Sequence, residues 1–234
     1  MNAFIAELLG TAIIIAFGNG VVANVVLNKT KGNNGGLIAI TFGWSMAVFI
    51  GVYIAAASSG AHLNSAVTIG LASLGKFEWS LVPQYLLAQL LGAMLGQLVV
   101  FIMYKDHFNS SEGLAQRACF CTDPAIRNPL QNFITEFLAT TIFMLAVLYL
   151  TKGEYALGSF DALPVALVVL GIGLSFGGPT GYAINPARDL GPRIMHFILP
   201  MKNKADSDWS YAWVPIAGPV LGALAAGFIF NLLQ

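Results

Sequence analysis

The chain contains one short pattern twice, once in each half. Residues 60–67 read Gly-Ala-His-Leu-Asn-Ser-Ala-Val, and residues 181–188 read Gly-Tyr-Ala-Ile-Asn-Pro-Ala-Arg. In both copies an apolar residue comes directly before the Asn, and an apolar stretch too short to cross a bilayer follows the pattern. Matched, interrupted apolar segments in two halves of one chain are typical of a membrane pore or carrier.

The composition places this chain in a lipid bilayer. Hydrophobic residues make up 57% of it and charged residues only 9%, whereas a soluble domain carries about 25% charged residues. The formal net charge is zero, so a nucleic-acid partner is not indicated. The first apolar stretch, Ala3–Leu27, has no basic segment before it and no small-residue cleavage site. We therefore expect a retained membrane span there rather than a signal peptide.

Six apolar stretches are long enough to cross the hydrocarbon core, which takes about 20 helical residues. They are Ala3–Leu27, Leu37–Ala57, Pro83–Tyr104, Phe133–Leu150, Ala162–Phe176 and Tyr211–Leu233. Two shorter stretches, Ala66–Leu74 and Pro186–Leu199, follow the two copies of the pattern. A helix of about nine residues rises about 14 Å, roughly half the core. These pieces are therefore predicted to be re-entrant half-helices.

Other segments also repeat between the halves. Residues 6–11 (Ala-Glu-Leu-Leu-Gly-Thr) match residues 135–140 (Thr-Glu-Phe-Leu-Ala-Thr), and Leu-Gly-Ala occurs at 91–93 and at 221–223. Because each half has an odd number of full crossings, the second half must be inverted relative to the first. The sequence thus predicts an all-α membrane protein with six transmembrane helices and two re-entrant half-helices. We expect a single channel domain, residues 1–234, in which inverted repeats 1–104 and 130–234 are joined by a loop at 105–129.

The Asn in each copy is placed to begin a half-helix. Asn is a favoured N-cap and Pro is favoured at the first helical position, as in Asn185-Pro186, whereas Asn64 is followed by Ser65. Two helix N-termini that meet at the membrane centre repel protons and cations. The Asn amides would donate hydrogen bonds to a passing oxygen atom, and the unpaired backbone carbonyls before each Asn would line the path as acceptors. The alternative is that each Asn only caps a buried helix.

Arg188 lies one turn into the second half-helix. A charged side chain at that depth is costly and is therefore a functional candidate. Its five N–H donors, facing a narrow lumen, would bind solute hydroxyls and repel cations. A salt bridge with Asp189 or Glu136 is the structural alternative.

Nothing in the sequence indicates a metal or a cofactor. The two cysteines, Cys119 and Cys121, stand in a polar segment without a nearby His, which is weak evidence for a metal site. A disulfide between residues two positions apart would be strained. We interpret both as incidental thiols.

These patterns resemble the aquaporin family over nearly the whole chain. The paired Asn-Pro-Ala boxes of that family correspond to Asn64, Ser65 and Ala66 and to Asn185, Pro186 and Ala187. The resemblance implies a homotetramer in the lipid bilayer of the plasma membrane, with one pore per subunit that passes small neutral solutes down their gradient. It implies no cofactor and no enzymatic activity. Ser65 stands where the family usually has Pro. This difference can change the pitch of the first half-helix and the width of the pore at the membrane midplane.

The narrow ring toward the outer mouth resembles that of the glycerol-conducting branch, the aquaglyceroporins. Its four positions correspond to Trp44, Gly173, Tyr182 and Arg188, and strict water channels have His where this chain has Gly173. The resemblance implies that Trp44 and Tyr182 contact the carbons of a polyol and Arg188 its hydroxyls. Asp189 also resembles that branch. We expect a channel for glycerol and water, with urea and undissociated small organic acids as further candidates; a lipid-interface anchor is the alternative for Trp44.

Three more residues match family positions near the pore. Glu7 and Glu136 resemble carboxylates buried behind the half-helices, and their implied role is to accept hydrogen bonds from the loops at 60–64 and 181–185. A proton relay is the alternative for these two acids. His62 resembles a pore-facing His in the cytoplasmic half. It could serve as a gate or pH sensor, and a simple hydrogen bond to backbone is the other interpretation.

The charge distribution and the resemblance disagree about orientation. One group of basic loop residues falls on one side: Lys29, Lys31, Lys105, Arg117, Arg127, Lys202 and Lys204. Only Lys76 and Lys152 fall on the other side. The positive-inside rule would place the larger group in the cytoplasm, whereas the family has both termini there. We follow the resemblance and expect a multi-pass protein with cytoplasmic termini.

Two other functional classes fit parts of the sequence. Residues 173–177 read Gly-Leu-Ser-Phe-Gly, the string of a hydrolase nucleophile elbow, but they lie at the end of an apolar helix and not in a strand-to-helix turn. An ion-coupled secondary transporter also has inverted repeats and broken helices. Such a carrier needs acids or unwound carbonyls for its ion, and apart from Glu7, Glu136 and Asp189 the spans are nearly free of acids.

Overall fold

The computed structural model describes residues 1–151, 160 and 162–234, and every regular element within them is helical. These residues form ten α-helices in chain order: α1 Ala3–Val26, α2 Gly36–Ser59, α3 Ser65–Ser73, α4 Val82–Met103, α5 Lys105–Asn109, α6 Gly113–Ala118, α7 Pro129–Leu150, α8 Ala162–Thr180, α9 Pro186–Ile198 and α10 Val214–Leu232. A 3₁₀ turn at Trp79–Leu81 leads into α4. Lys152, which enters the charge count above, lies outside the described residues.

In the described part of the chain, six helices are long and apolar enough to cross a bilayer, namely α1, α2, α4, α7, α8 and α10. These are the six predicted spans, and α3 and α9 are the two predicted half-helices. Most boundaries shift by only one or two residues, and three shift further. α7 begins at Pro129, four residues before the predicted Phe133, because Pro suits the first position of a helix. α8 continues past Phe176 to Thr180, because Pro179 removes only one hydrogen bond from the last turn. α10 begins at Val214, where Pro215 suits the first turn of a helix.

The prediction that residues 105–129 form a loop is wrong in part, because this segment contains α5 and α6. Phe108 and Phe120 of the segment are fully buried, with ring centroids 5.3 Å apart. They belong to a hydrophobic cluster that includes Val22 of α1 and Val100 of α4. The linker is polar in composition, but these two rings anchor it to the membrane helices. Because the two phenylalanines are far apart in sequence, they do not form the apolar repeat by which a helix can be predicted.

The two halves use equivalent helix contacts. α1 packs against α4 in the first half, and α7 packs against α10 in the second. A Cβ atom on Gly92 would meet the backbone carbonyl of Leu8, and one on Gly222 would meet the backbone carbonyl of Phe137. Leu8 and Phe137 hold the same place in the two repeats. Close approach at small residues is the usual way in which helices pack in lipid.

The half-helices connect the two halves. α3 of the first half packs against α10 of the second, and α9 of the second half packs against α4 of the first. The N-termini of α3 and α9 meet, since Asn64 and Asn185 each donate a hydrogen bond across the junction. This is the architecture expected for the inverted fold. The repeat boundaries at 104 and 130 remain a prediction.

Candidate pore

The backbone before each half-helix has the same unusual conformation. Gly60 and Gly181 end α2 and α8 with φ of 78° in both cases. Non-glycine residues with positive φ follow at matching places: Ala61 at 51°, Leu63 at 49°, Tyr182 at 38° and Ile184 at 44°. A left-handed conformation costs a residue with a Cβ atom roughly 1–2 kcal/mol. Both loops therefore need strong support from their surroundings.

Glu7 provides that support for the first loop. Its side chain is fully buried in α1. The carboxylate accepts hydrogen bonds from the backbone N–H of His62 at 2.9 Å and of Leu63 at 2.7 Å. It also accepts one from the Ser59 hydroxyl at 2.6 Å. A carboxylate that accepts several such bonds holds the irregular backbone in place, because breaking any of them leaves a buried donor unpaired.

Glu136 of α7 makes the equivalent contacts in the second half. Its carboxylate accepts hydrogen bonds from the N–H of Ala183 and of Ile184, both at 2.9 Å, and from the Thr180 hydroxyl at 2.7 Å. These are the loop contacts that the family resemblance implies for the two acids. Neither Glu7 nor Glu136 lines the cavity described below, which favours a supporting role over a proton relay.

Asn64 and Asn185 cap the two half-helices and also bridge them. The Oδ1 atom of Asn64 accepts from Ala66 N–H at 2.9 Å, and that of Asn185 accepts from Ala187 N–H at 3.1 Å. Each Nδ2 atom donates across the junction at 2.9 Å, from Asn64 to the Ile184 carbonyl and from Asn185 to the Leu63 carbonyl. A side-chain amide has two N–H donors, so each Asn keeps one for a solute.

Ser65 is tied to α4 by a hydrogen bond that Pro could not make. Its hydroxyl donates to Gln89 Oε1 at 2.9 Å, and Gln89 Nε2 donates to Glu7 at 2.8 Å. The Ser65 N–H also lies 3.4 Å from Asn185 Oδ1. By contrast, Pro186 at the matching place has no N–H to donate. The start of α3 is thus linked through Gln89 to the same carboxylate that holds its loop.

Replacing Ser65 with alanine is expected to destabilise the protein by about 1–3 kcal/mol, because Gln89 Oε1 would be left buried without a donor. Thermal unfolding of the purified protein in detergent measures the effect. Ser73→Ala is the matched control, since its exposed hydroxyl in the same half-helix bonds only to Gly70 of that helix. Equal shifts for the two variants would show that the Ser65–Gln89 bond adds nothing.

One cavity, of about 320 Å³, is lined by residues from both halves of the described chain. Its wall is largely apolar, with Val and Leu side chains from α2, α3 and α8. Polar groups occur at His62, at Asn64 and Asn185, and at Arg188. An apolar passage with a few fixed polar groups suits a small neutral molecule that has both carbon and hydroxyl surfaces.

The Arg188 guanidinium faces the ring of Trp44. The guanidinium carbon lies 4.3 Å from the centre of the Trp44 ring, within the range of a cation–π contact. In the described part of the chain, the guanidinium of Arg188 forms no hydrogen bond, and the backbone nitrogen of Arg188 lies 3.5 Å from Asn185 Oδ1. The salt bridge considered above, with Asp189 or Glu136, is not formed among those residues, because Asp189 pairs with Arg193. The guanidinium donors are therefore available to a solute.

Gly173 lies behind Tyr182 and does not line the cavity. A Cβ atom at Gly173 would meet the Thr41 methyl group and would lie 3.0 Å from the Tyr182 Cζ atom. Tyr182 itself lines the cavity, as do Trp44 and Arg188. The missing side chain at Gly173 thus makes space for the Thr41 methyl group and the Tyr182 ring, and Gly173 contributes to the predicted ring only through Tyr182.

Arg193 is a buried residue that the sequence reasoning missed. It donates to Asp189 at 2.7 Å and to the carbonyls of Ser207 at 2.8 Å and Asp208 at 2.9 Å. Asp189 in turn accepts from the Thr122 N–H and hydroxyl at 2.8 and 2.6 Å. This network fixes α9, and with it Arg188, to the linker at Thr122 and to the loop that follows α9. The spacing of Asp189 and Arg193, four residues apart in a half-helix, was the available signal.

Two further cations contact residues of this network or the end of α9. Arg127 forms a two-pronged salt bridge with Asp208 at 2.7 and 2.8 Å, and these hydrogen bonds hold the pKa of Asp208 below its ordinary value. Lys204 donates to three carbonyls at the end of α9, those of His196, Phe197 and Leu199. A cation at a helix C-terminus satisfies carbonyls that have no partner within the helix.

His62 lies on the cavity wall and contacts side chains instead of backbone. Its Nδ1 atom is 3.1 Å from the Thr68 hydroxyl. Its ring packs against Phe77 and Tyr85, with centroids 4.6 and 4.9 Å away. The simpler interpretation, a hydrogen bond from the ring to backbone, is therefore wrong, and His62 is a member of an aromatic cluster beside the pore.

The two cysteines are free and buried. Burial raises the pKa of Cys121 to about 12 and raises that of Cys119 above its ordinary value. Thiols that stay protonated are poor nucleophiles and poor metal ligands. Among the described residues, no group of His, Cys, Asp and Glu is arranged to hold a metal ion.

The hydrolase string at residues 173–177 lies wholly inside α8. Ser175 is exposed on the outer face of that helix, and no strand precedes it in the described chain. A nucleophile elbow requires a sharp strand-to-helix turn. The two glycines of the string instead face the ring of Tyr182.

Comparisons with known proteins agree with this geometry. The sequence pattern of the family described as MIP, major intrinsic protein, matches residues 1–230. The chain is similar to a probable glycerol uptake facilitator protein of Thermotoga maritima, with 50% identity over 100% of both chains, and to the glycerol uptake facilitator protein of Streptococcus pneumoniae, with 50% identity over 99% of both chains. The X-ray structure of the aquaglyceroporin from Plasmodium falciparum is similar over 97% of this chain and 94% of that one, with a TM-score of 0.87 and 34% identity. The chain is therefore a multi-pass membrane channel and not an enzyme, and it belongs to the major intrinsic protein family.

Proposed function

We propose that the chain conducts glycerol and similar small polyols by passive diffusion, together with water. The observation that carries this proposal is the pairing of Arg188 with Trp44, in which unpaired guanidinium donors lie beside an aromatic face. Such a site binds the hydroxyls of a polyol on one side and its carbons on the other. The names of the relatives in Thermotoga maritima and Streptococcus pneumoniae support the same substrate class.

In this mechanism the solute loses water at a selectivity filter formed by Trp44, Tyr182 and Arg188, with Gly173 behind it. It then exchanges hydrogen bonds with successive groups along the cavity. The free amide donors of Asn64 and Asn185 bind its hydroxyls at the junction of the half-helices. Each of these bonds replaces one to water, so the barrier for a polyol stays low. A cation gains no such replacement beside Arg188 and two helix N-termini, and is excluded.

The remaining features of the proposal follow from the family resemblance. The protein assembles as a homotetramer in the plasma membrane with one pore per subunit, and both termini are cytoplasmic. The extensive apolar surface of the single chain, including Ile38, Phe42 and Phe228, is consistent with lipid and subunit contacts on its outside. Urea and undissociated small organic acids fit a cavity of this size and polarity as further solutes.

Stopped-flow light scattering on proteoliposomes tests the proposed substrate. We expect glycerol and water to enter faster than in vesicles without protein, and sodium chloride to enter no faster. Urea and lactic acid complete the panel. Lactic acid is measured above and below its pKa, which compares the charged and the neutral form of one solute. Glycerol entry equal to that of the protein-free vesicles would refute the proposal.

A further inference from the structure

Each aromatic wall of the filter rests on a glycine of a membrane helix. We call Gly18 of α1 and Gly177 of α8 the backing glycines. A Cβ atom built on Gly18 would lie 2.6 Å from Cδ2 of Trp44, with two further ring atoms closer still. A Cβ atom built on Gly177 would lie 2.7 and 2.9 Å from Cδ1 and Cε1 of Tyr182. The absence of a side chain is thus what lets each ring lie against its helix.

An added methyl group at either position would have to displace the ring. Non-bonded carbon atoms prefer a separation of about 3.5–4.0 Å, so the ring must shift by about 1 Å. At Gly177 the three nearest atoms all belong to Tyr182, and at Gly18 they all belong to Trp44. The ring is therefore the group that moves.

The direction of that movement is set by what surrounds the rings. Trp44 and Tyr182 line the cavity, whereas Gly18 and Gly177 do not. Each ring therefore stands between its backing glycine and the lumen. Beyond Trp44, on the lumen side, lies the Arg188 guanidinium at 4.3 Å. A ring pushed away from its helix moves toward the lumen and narrows the filter.

We infer that Gly18 and Gly177 determine the largest solute that the channel admits, although neither touches the solute. They are positioning residues that act through Trp44 and Tyr182. The inference rests on the proposed function, because it assigns to these glycines the aperture through which glycerol passes. Gly173 is less informative, because a Cβ atom there would meet Thr41 as well as Tyr182.

The chain supplies a matched control for each backing glycine. Gly20 lies in α1, and a Cβ atom there would meet nothing closer than Val100 Cγ2 at 4.0 Å. Gly171 lies in α8, and a Cβ atom there would meet nothing within 4 Å. Each Gly→Ala change adds the same methyl group and the same gain in helix propensity. Only the contact with a filter ring differs within each pair.

The test compares the ratio of glycerol to water permeability in proteoliposomes of the wild type and of the four single variants. We expect Gly18→Ala and Gly177→Ala to lower the ratio about tenfold, as overpacking of a tight site does. Gly20→Ala and Gly171→Ala should leave it unchanged. Ratios that do not differ between a backing glycine and its control would overturn the inference, while glycerol entry through the wild type would keep the proposed function standing.

A double variant distinguishes displacement of the Tyr182 ring from general misfolding. In Tyr182→Ala protein the methyl group of Gly177→Ala has no ring to displace, so the double variant should have the ratio of Tyr182→Ala alone. If the Gly177→Ala variant fails to assemble but the double variant assembles, the result supports the inference that the added methyl group and the Tyr182 ring compete for the same space. A Gly177→Ala effect of the same size with and without the ring, or failure to assemble in both backgrounds, contradicts the inference.

Discussion

Replacing Arg188 with alanine is expected to open the pore to cations and protons. In the proposed filter the guanidinium is the charged group, and its neighbour Asp189 does not neutralise it because that acid pairs with Arg193. A cation that passes about 4 Å from the guanidinium is repelled by about 4 kcal/mol at an effective dielectric constant of about 20. This repulsion is the electrostatic barrier that alanine would remove. Removing the barrier should raise cation leak by up to about a thousandfold. Dye-reported proton and sodium entry into proteoliposomes measures this directly.

Arg188→Lys separates charge from hydrogen bonding. Lysine keeps the positive charge but loses the planar fork of donors and its stacking on an aromatic ring. We expect this variant to remain tight to cations and to conduct glycerol more slowly than the wild type. The account of the filter fails if Arg188→Ala vesicles are as tight to ions as the wild type. If Arg188→Lys leaks as much as Arg188→Ala, shape and not charge excludes the ions.

Replacing Glu136 with glutamine is expected to cause a large loss of stability. The Glu136 carboxylate accepts two backbone N–H bonds and one hydroxyl bond in a fully buried site. An amide presents an N–H to at least one of these donors, and the loop it supports contains Tyr182 and Ile184 with positive φ. Losing a charge-assisted bond and stranding a buried donor costs about 3 kcal/mol.

Thermal unfolding in detergent measures this loss. For a chain of this length, about 3 kcal/mol lowers the midpoint by roughly 6–12 °C. Glu112→Gln is the control, because Glu112 is exposed and lies in the linker. Glutamine at Glu7 should behave like glutamine at Glu136, since the two acids hold equivalent loops. A shift for Glu136→Gln no larger than that for Glu112→Gln would contradict the supporting role.

The half-helices and their meeting point could be predicted because their signals are local. Asn64 and Asn185 each stand at the start of a stretch too short to cross the membrane, and a helix cap is recognisable from a few residues. The inversion follows from counting crossings. The long-range hydrogen bonds from each Asn side chain to the loop of the other half then follow from the inversion and need no further information.

The contacts behind the filter could not be predicted, because they join residues that are distant in sequence. Gly18 of α1 contacts Trp44 of α2, and nothing in the local sequence distinguishes Gly18 from Gly20. The bond from Ser65 to Gln89 likewise depends on the packing of α3 against α4. Composition misled in the linker, where two buried phenylalanines hold a mostly polar segment in place. In each case tertiary packing decides the role of the residue.

The most direct test of the central claim is the dependence of glycerol flux on its gradient in proteoliposomes that contain only this protein. A passive channel predicts an initial rate that rises linearly with the glycerol gradient and is unaffected by sodium, by a proton gradient or by membrane potential. A rate that saturates at low glycerol concentration, or that requires an ion gradient, would contradict the account and indicate a coupled carrier.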